Sequence, residues 1–154
     1  MKYYENVQQI SDFLLEHDIK PSFQRVKILE RLSYFEDHPT VNEIYTDLVA
    51  DIPSLSKTTV YNTLNLFVKH GVARTVGVDI TEARYDLITH FHGHFICSEC
   101  GSISDLELND MVNFDFLKDD GREITGIDLT VRGICEKCKE LNRSEERRVG
   151  KECR

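Results

Sequence analysis

The chain has 154 residues, 40% of them apolar and 30% charged, with a formal net charge of −8. Residues 1–85 carry net −3 and residues 86–154 net −5, so neither half is a general polyanion binder, and any DNA contact must come from a local basic face. The start, MKYYENVQQI, shows no apolar leader core, and no run reaches the roughly 20 apolar residues of a membrane span. The expectation is a cytoplasmic protein without a membrane partner, in which cysteines stay reduced and Cys-x-x-Cys points to metal or redox chemistry.

The first seventy residues read as helices. In 5–16, Val7, Ile10, Phe13 and Leu14 recur at helical spacing. After Pro21, the stretch 22–33 places Val26, Ile28, Leu29 and Leu32 on one side, with Ser22 as N-cap. Thr40-Val-Asn-Glu43 fits a capping box and predicts a helix near 41–50 with Ile44, Tyr45 and Leu48 inward. A fourth helix is predicted over 56–69, opened by Ser56 and closed by Gly71. Its inward stripe is Val60, Leu64, Phe67 and Val68. Lys57, Thr58, Thr59, Tyr61, Asn62 and Asn65 then face outward. After Gly71 the period becomes two. VARTVG and ITEARYDL read as strands of a hairpin around Gly77-Val-Asp. Helices followed by a hairpin make a winged helix-turn-helix, in which Lys57, Thr58, Thr59, Tyr61 and Asn62 are the candidate DNA-contacting residues. The competing reading of the fourth helix is a solvated polar face.

The second half reads as a small α+β unit. Residues 90–97 alternate as a strand, SECG is a turn, 102–106 is a second strand, 109–118 a helix and 123–134 a β-rich run. A unit of this size favours a metal staple or a dimer. The whole is therefore expected to be α+β: a winged-helix DNA-binding domain over 1–85 and a metal-binding dimerisation domain over 86–142. The end, 143–154, is a highly charged tail, either solvated or non-native.

Cys97-Ser-Glu-Cys100 and Cys135-Glu-Lys-Cys138 are two knuckles 34 residues apart. Four thiolates in a reducing compartment suit one structural Zn2+, with the ion joining the two ends of a small domain. Redox chemistry is the alternative, but it favours a dithiol at a helix N-terminus, and these knuckles flank strands. The stretch HFHGHFICSEC also holds His90, His92 and His94. On a regular strand the even-numbered histidines point away from Cys97, so one stretch can serve two metals. Surface histidines are the bland alternative. Asp86, Asp105 and His38 are candidate partners, and a site including His38 would cross the domain boundary.

In order along the chain, HPTVNEIYTDL, LSKTTVYNTLNLF, RYDL, HFHGHFICSECG, ISDL and GICEKC resemble the ferric uptake regulator family over about residues 5–140. The resemblance implies a dimeric, metal-dependent repressor of a near-palindromic operator in double-stranded DNA, and not an enzyme. Within the family the chain is most similar to the peroxide-responsive branch. That likeness implies a regulatory Fe2+ or Mn2+ on His38, Asp86, His92, His94 and Asp105, and peroxide sensing by metal-catalysed oxidation of a ligand histidine. Iron-sensing relatives usually carry a glutamate where Asp105 stands, and a histidine in the strand before the second cysteine pair. Here that strand reads ITGIDLTVRGIC. His90 is left as a residue beside the site. An iron, manganese or zinc uptake repressor is the alternative within the family. Outside it stand a zinc-stapled protein adaptor and a metallohydrolase, and the latter lacks an HExxH-type motif.

Overall fold

A computed structural model describes residues 4, 6–34, 37–77, 82–88, 90–108, 121, 123–124 and 126–141. The chain divides into two compact units, Met1–Phe91 and His92–Arg154.

The first unit begins with α1 (Val7–Glu16), whose first turn is capped by the Asn6 side chain accepting from the Gln9 N–H at 3.0 Å. Ile10 and Leu14 are buried, Phe13 is half-buried, and Val7, at the open first turn, is exposed. The chain turns back through Asp18 at φ +56 and buries Ile19. Helix α2 (Phe23–Tyr34) starts at Ser22, whose hydroxyl accepts from the Arg25 N–H. Its apolar face, Val26, Ile28, Leu29 and Leu32, is buried as its spacing predicts. Helix α3 (Val41–Leu48) opens with the full capping box. Glu43 N–H donates to Thr40 Oγ1 at 3.1 Å, and Thr40 N–H donates to Glu43 Oε2 at 2.7 Å.

Helix α4 (Lys57–Lys69) is capped by Ser56, and Gly71 at φ +69 turns the chain out of it. Its buried residues are Val60, Thr63, Leu64 and Phe67. Val68, expected inside, is exposed, and Thr63 takes its place. At 3.6 residues per turn Val68 lies about 90° from the mean direction of those four, at the edge of the stripe. Strands β1 (Ala73–Val76) and β2 (Arg84–Leu87) then pair antiparallel, from Ala73↔Leu87 to Val76↔Arg84. The second strand is shorter than ITEARYDL suggested, and most of the expected turn, residues 78–81, lies outside the described residues. Helices from α1 to α4 and the hairpin share one core with Val72, Tyr85 and Leu87, giving a winged helix-turn-helix.

The second unit holds a three-stranded sheet in the order β4-β3-β5. Strand β3 (Gly93–Cys97) pairs antiparallel with β4 (Ile103–Leu106) and parallel with β5 (Thr130–Gly133). The sequence suggested strands over 90–97 and 123–134, but the first begins at Gly93 and the second is paired only from Thr130. Each needs the other to form a ladder, and that ladder starts at His94↔Thr130. Two glycines permit the close approach. A Cβ on Gly93 would meet Leu129 Cδ2 at 3.1 Å, and one on Gly133 would meet the Phe95 ring at 3.0 Å. The expected helix at 109–118 and the tail at 143–154 lie outside the described residues.

Candidate metal centres

The first centre is built where two parallel strands stop side by side. Cys97 ends β3 opposite Gly133, which ends β5 and leads to Cys135. The turn after Cys97 is closed by Gly101 N–H donating to the Cys97 carbonyl at 2.9 Å, with Gly101 at φ +70. Ser98 N–H donates to the Gly133 carbonyl at 2.7 Å and ties the first knuckle to the second. The four sulfurs of Cys97, Cys100, Cys135 and Cys138 lie within 4.8 Å of one another, and Cys100 Sγ to Cys135 Sγ is 3.8 Å. A tetrahedral ion with bonds of about 2.3 Å to sulfur needs edges of about 3.8 Å, so the donor set fits Zn2+.

The thiols are not equivalent. Backbone N–H groups of Cys100 and then Cys135 pull Cys97 down to about 6, against the effect of burial. The Ser102 hydroxyl, 3.2 Å from Cys100 Sγ, lowers Cys100. Cys138 is pushed up to about 12, chiefly by its hydrogen bond with Cys135. Clustered thiols resist full ionisation unless a cation compensates, and a dication does so.

A second donor group stands on the other side of β3. His94 and Asp105 are register partners and therefore share a face, while Cys97 belongs to the alternate set. Asp105 Oδ1 lies 3.7 Å from His94 Nε2 and 3.7 Å from His92 Nε2. The two imidazoles meet edge to face with centroids 4.9 Å apart, and both are almost fully buried. Donors at that spacing can share one ion at bond lengths of about 2.1 Å, and imidazole with carboxylate suits Fe2+ or Mn2+. His90 is exposed, three residues before β3.

A third group belongs to the first unit. His38 Nε2 lies 3.9 Å from Asp86 Oδ1. His38 is buried and has φ +48, a left-handed conformation that is unusual for histidine. Strand β2 holds it there. Arg84 Nη1 donates to the His38 carbonyl at 3.0 Å, Tyr85 N–H donates to the Pro39 carbonyl at 3.1 Å, and Thr40 bridges to Arg84. Two residues beyond Arg84 on the same strand, Asp86 Oδ2 accepts from Arg74 Nε at 2.8 Å. The sequence reading missed both arginines. Arg84 stands in the RYDL motif at the strand period from Asp86, a signal that was present. Arg74 becomes visible only once the hairpin register is known.

The five predicted nitrogen and oxygen ligands thus fall as His38 and Asp86 in one unit, and His92, His94 and Asp105 in the other.

On α4, Lys57, Thr58, Tyr61 and Asn62 are exposed. Thr59 is half-buried and engaged in the cap, its hydroxyl 2.8 Å from Ser56 Oγ. Lys57 Nζ sits 5.5 Å over the Tyr45 ring. No helix among the described residues is long and apolar enough to cross a membrane.

A winged helix-turn-helix followed by a small unit rich in metal donors is the build of a metal-responsive DNA-binding regulator. The model of the ferric uptake regulator family matches residues 16–132, and the chain belongs to that family. A peroxide-responsive repressor, PerR, of Staphylococcus aureus is 32% identical over 132 residues, covering 82% of this chain and 87% of the relative. Among solved structures, a peroxide stress regulator of Campylobacter jejuni is 26% identical, with TM-score 0.67, covering 88% of this chain and all of the other. The ferric uptake regulator of Helicobacter pylori, described as having three functional metal-binding sites, shares the fold at TM-score 0.73 and 22% identity, over 90% of this chain and 97% of its own.

Proposed function

We propose that this chain is a homodimeric, metal-dependent repressor that reads a near-palindromic operator and is inactivated by peroxide. The observation that carries the reading is Asp105 Oδ1, 3.7 Å from both His92 and His94, an N/O group distinct from the four-thiolate cluster in the same unit. The similarity to PerR of Staphylococcus aureus supports it.

In this reading zinc on Cys97, Cys100, Cys135 and Cys138 is structural. His38, Asp86, His92, His94 and Asp105 together hold one regulatory Fe2+ or Mn2+, which links the DNA-reading unit, Met1–Phe91, to the dimerising unit that begins at His92. Occupancy favours one arrangement of the units and so shifts the population towards DNA binding. Fe2+ held by these ligands would supply the chemistry by which hydrogen peroxide, the two-electron oxidant, adds one oxygen to the imidazole of His38 or His92 while its other oxygen leaves as water. An oxidised imidazole would no longer serve as a ligand, and the link between the units would be lost. Lys57, Thr58, Thr59, Tyr61 and Asn62 of α4 are the operator-reading residues, with Thr59 limited by its cap role. Val131 and Ile134, exposed on and just after the edge strand β5, are apolar surface suited to a second copy. The cell compartment of this reading is the cytoplasm.

Operator binding by the Fe2+ and Mn2+ forms, measured before and after a brief peroxide pulse, tests the proposal. Loss of binding in the Fe2+ form alone, with one oxygen added to a peptide carrying His38 or His92, is expected. Metal-dependent binding that survives peroxide in both forms assigns the chain instead to metal-uptake control. Binding that ignores the metal rejects both.

A further inference from the structure

Asp86 stands between His38 and Arg74. Its Oδ1 faces His38 Nε2 at 3.9 Å, and its Oδ2 accepts from Arg74 Nε at 2.8 Å. Arg74 and Asp86 are directly paired residues of the hairpin, so the contact is built into the register. It is also sheltered, the Arg74 and Asp86 side chains being only 16% and 12% exposed.

We propose that Arg74 is an affinity-setting residue: a fixed positive charge that competes with the regulatory cation for Asp86 and weakens metal binding. The proposal deepens the reading of His38 and Asp86 as part of one site, and rests on it. Two effects of Arg74 oppose each other. Its hydrogen bond orders the Asp86 carboxylate before metal arrives, which favours binding. Its charge stands one carboxylate away from a dication, which opposes binding. Aspartate has only two side-chain torsions, so the ordering gain is small. The repulsion acts between a single and a double charge a few ångströms apart, where little water screens it. The repulsive effect therefore wins. A sensor benefits, because an ion held too tightly no longer reports its own availability.

The test titrates Mn2+ into the zinc-loaded full-length protein and reads the dissociation constant directly. Arg74→Met keeps the length and removes the charge, and Mn2+ should bind about tenfold more tightly. Arg74→Lys keeps the charge and should stay near the wild-type value. Damage to the hairpin would weaken binding, so tightening cannot arise from misfolding, and Arg74→Gln gives a second neutral variant. Unchanged or weaker binding in both neutral variants overturns the proposal, as does equal tightening in Arg74→Lys. The underlying site assignment fails differently, in the wild-type background: Asp86→Ala and Asp105→Ala would then bind Mn2+ as well as the unmodified protein.

Discussion

Arg84 donates a hydrogen bond to the carbonyl of His38 at 3.0 Å across 46 positions of sequence, and the strand that carries Arg84 also carries Asp86. One four-residue strand thus fixes the backbone of one candidate ligand and supplies the next. The left-handed φ of His38 costs on the order of 1–3 kcal/mol, so the loop needs an external hold.

From this follows the first prediction. Arg84→Met should weaken Mn2+ binding by about tenfold, the value of one charge-assisted hydrogen bond. Its charge is already offset by Glu43, whose Oε2 lies 3.3 Å from Arg84 Nη1, so the loss is chiefly that of an anchor. Zinc content should not change. Arg84 and Arg74, both on the hairpin, should therefore shift the same titration in opposite directions. Unaltered Mn2+ affinity in Arg84→Met would show that His38 is held well enough by Tyr85 and Pro39.

The second prediction concerns the four sulfurs. Cys135→Ser removes one thiolate and its sulfur contact with Cys100 Sγ at 3.8 Å, while the backbone N–H of residue 135, which donates to Cys97 Sγ at 3.3 Å, stays in place. Structural zinc contributes on the order of 10 kcal/mol in small domains. The variant should lose its zinc, and the unfolding transition of the second unit should disappear while that of the helical unit persists. Metal analysis with calorimetry checks this. Full zinc retention would rule out the four-thiolate assignment.

The α3 cap gives a pH prediction. Burial pushes the Glu43 carboxyl up, but hydrogen bonds from the Thr40 N–H and hydroxyl, helped by Arg84, outweigh it and leave the group below its ordinary 4.5. A depressed carboxyl stabilises the fold above that value and loses its contribution as pH falls through the folded value. Glu43→Gln should therefore lower stability at neutral pH and flatten the acid limb of the wild-type stability curve below about pH 5. The side chain is 48% exposed, so the effect should stay under about 1 kcal/mol. Thr40→Ala should cost about 1 kcal/mol. Parallel acid limbs for wild type and Glu43→Gln would contradict the account.

Of the residues assigned to operator reading, Tyr61 offers most to a base, being 51% exposed on the outer face of α4. Tyr61→Ala should weaken operator binding by about 1–3 kcal/mol and relax specificity at the base it meets. Lys57→Ala should instead weaken binding to all sequences alike and reduce the salt slope by about one. An unaltered operator preference in Tyr61→Ala would move the reading face elsewhere.

Local signals carried the helical half. The caps at Ser22, Thr40 and Ser56 and the stop at Gly71 depend on residues within one turn, and the structure has them where the sequence put them. Val68 was misjudged because a two-sided choice at a stripe's edge depends on what the helix packs against. The cysteine spacing and the parity of His94 against Cys97 were also legible, since both follow from strand period and turn length. The start of β5 was not, because only β3 defines where its ladder begins. Arg74 was invisible for the same reason: its meaning lies in a partner on another strand, Asp86.

The parallel pairing of β3 with β5 has a consequence for how this chain tolerates change. Cys97 and Gly133 are register partners, so the ladder, and not the chain between the two strands, sets how far apart the knuckles sit. The Ser98 N–H adds a clamp on the Gly133 carbonyl at 2.7 Å. Ile134 alone separates Gly133 from Cys135, so the second knuckle has no slack against that fixed register. Deleting Ile134 should therefore cost the cluster its zinc, although it removes no sulfur.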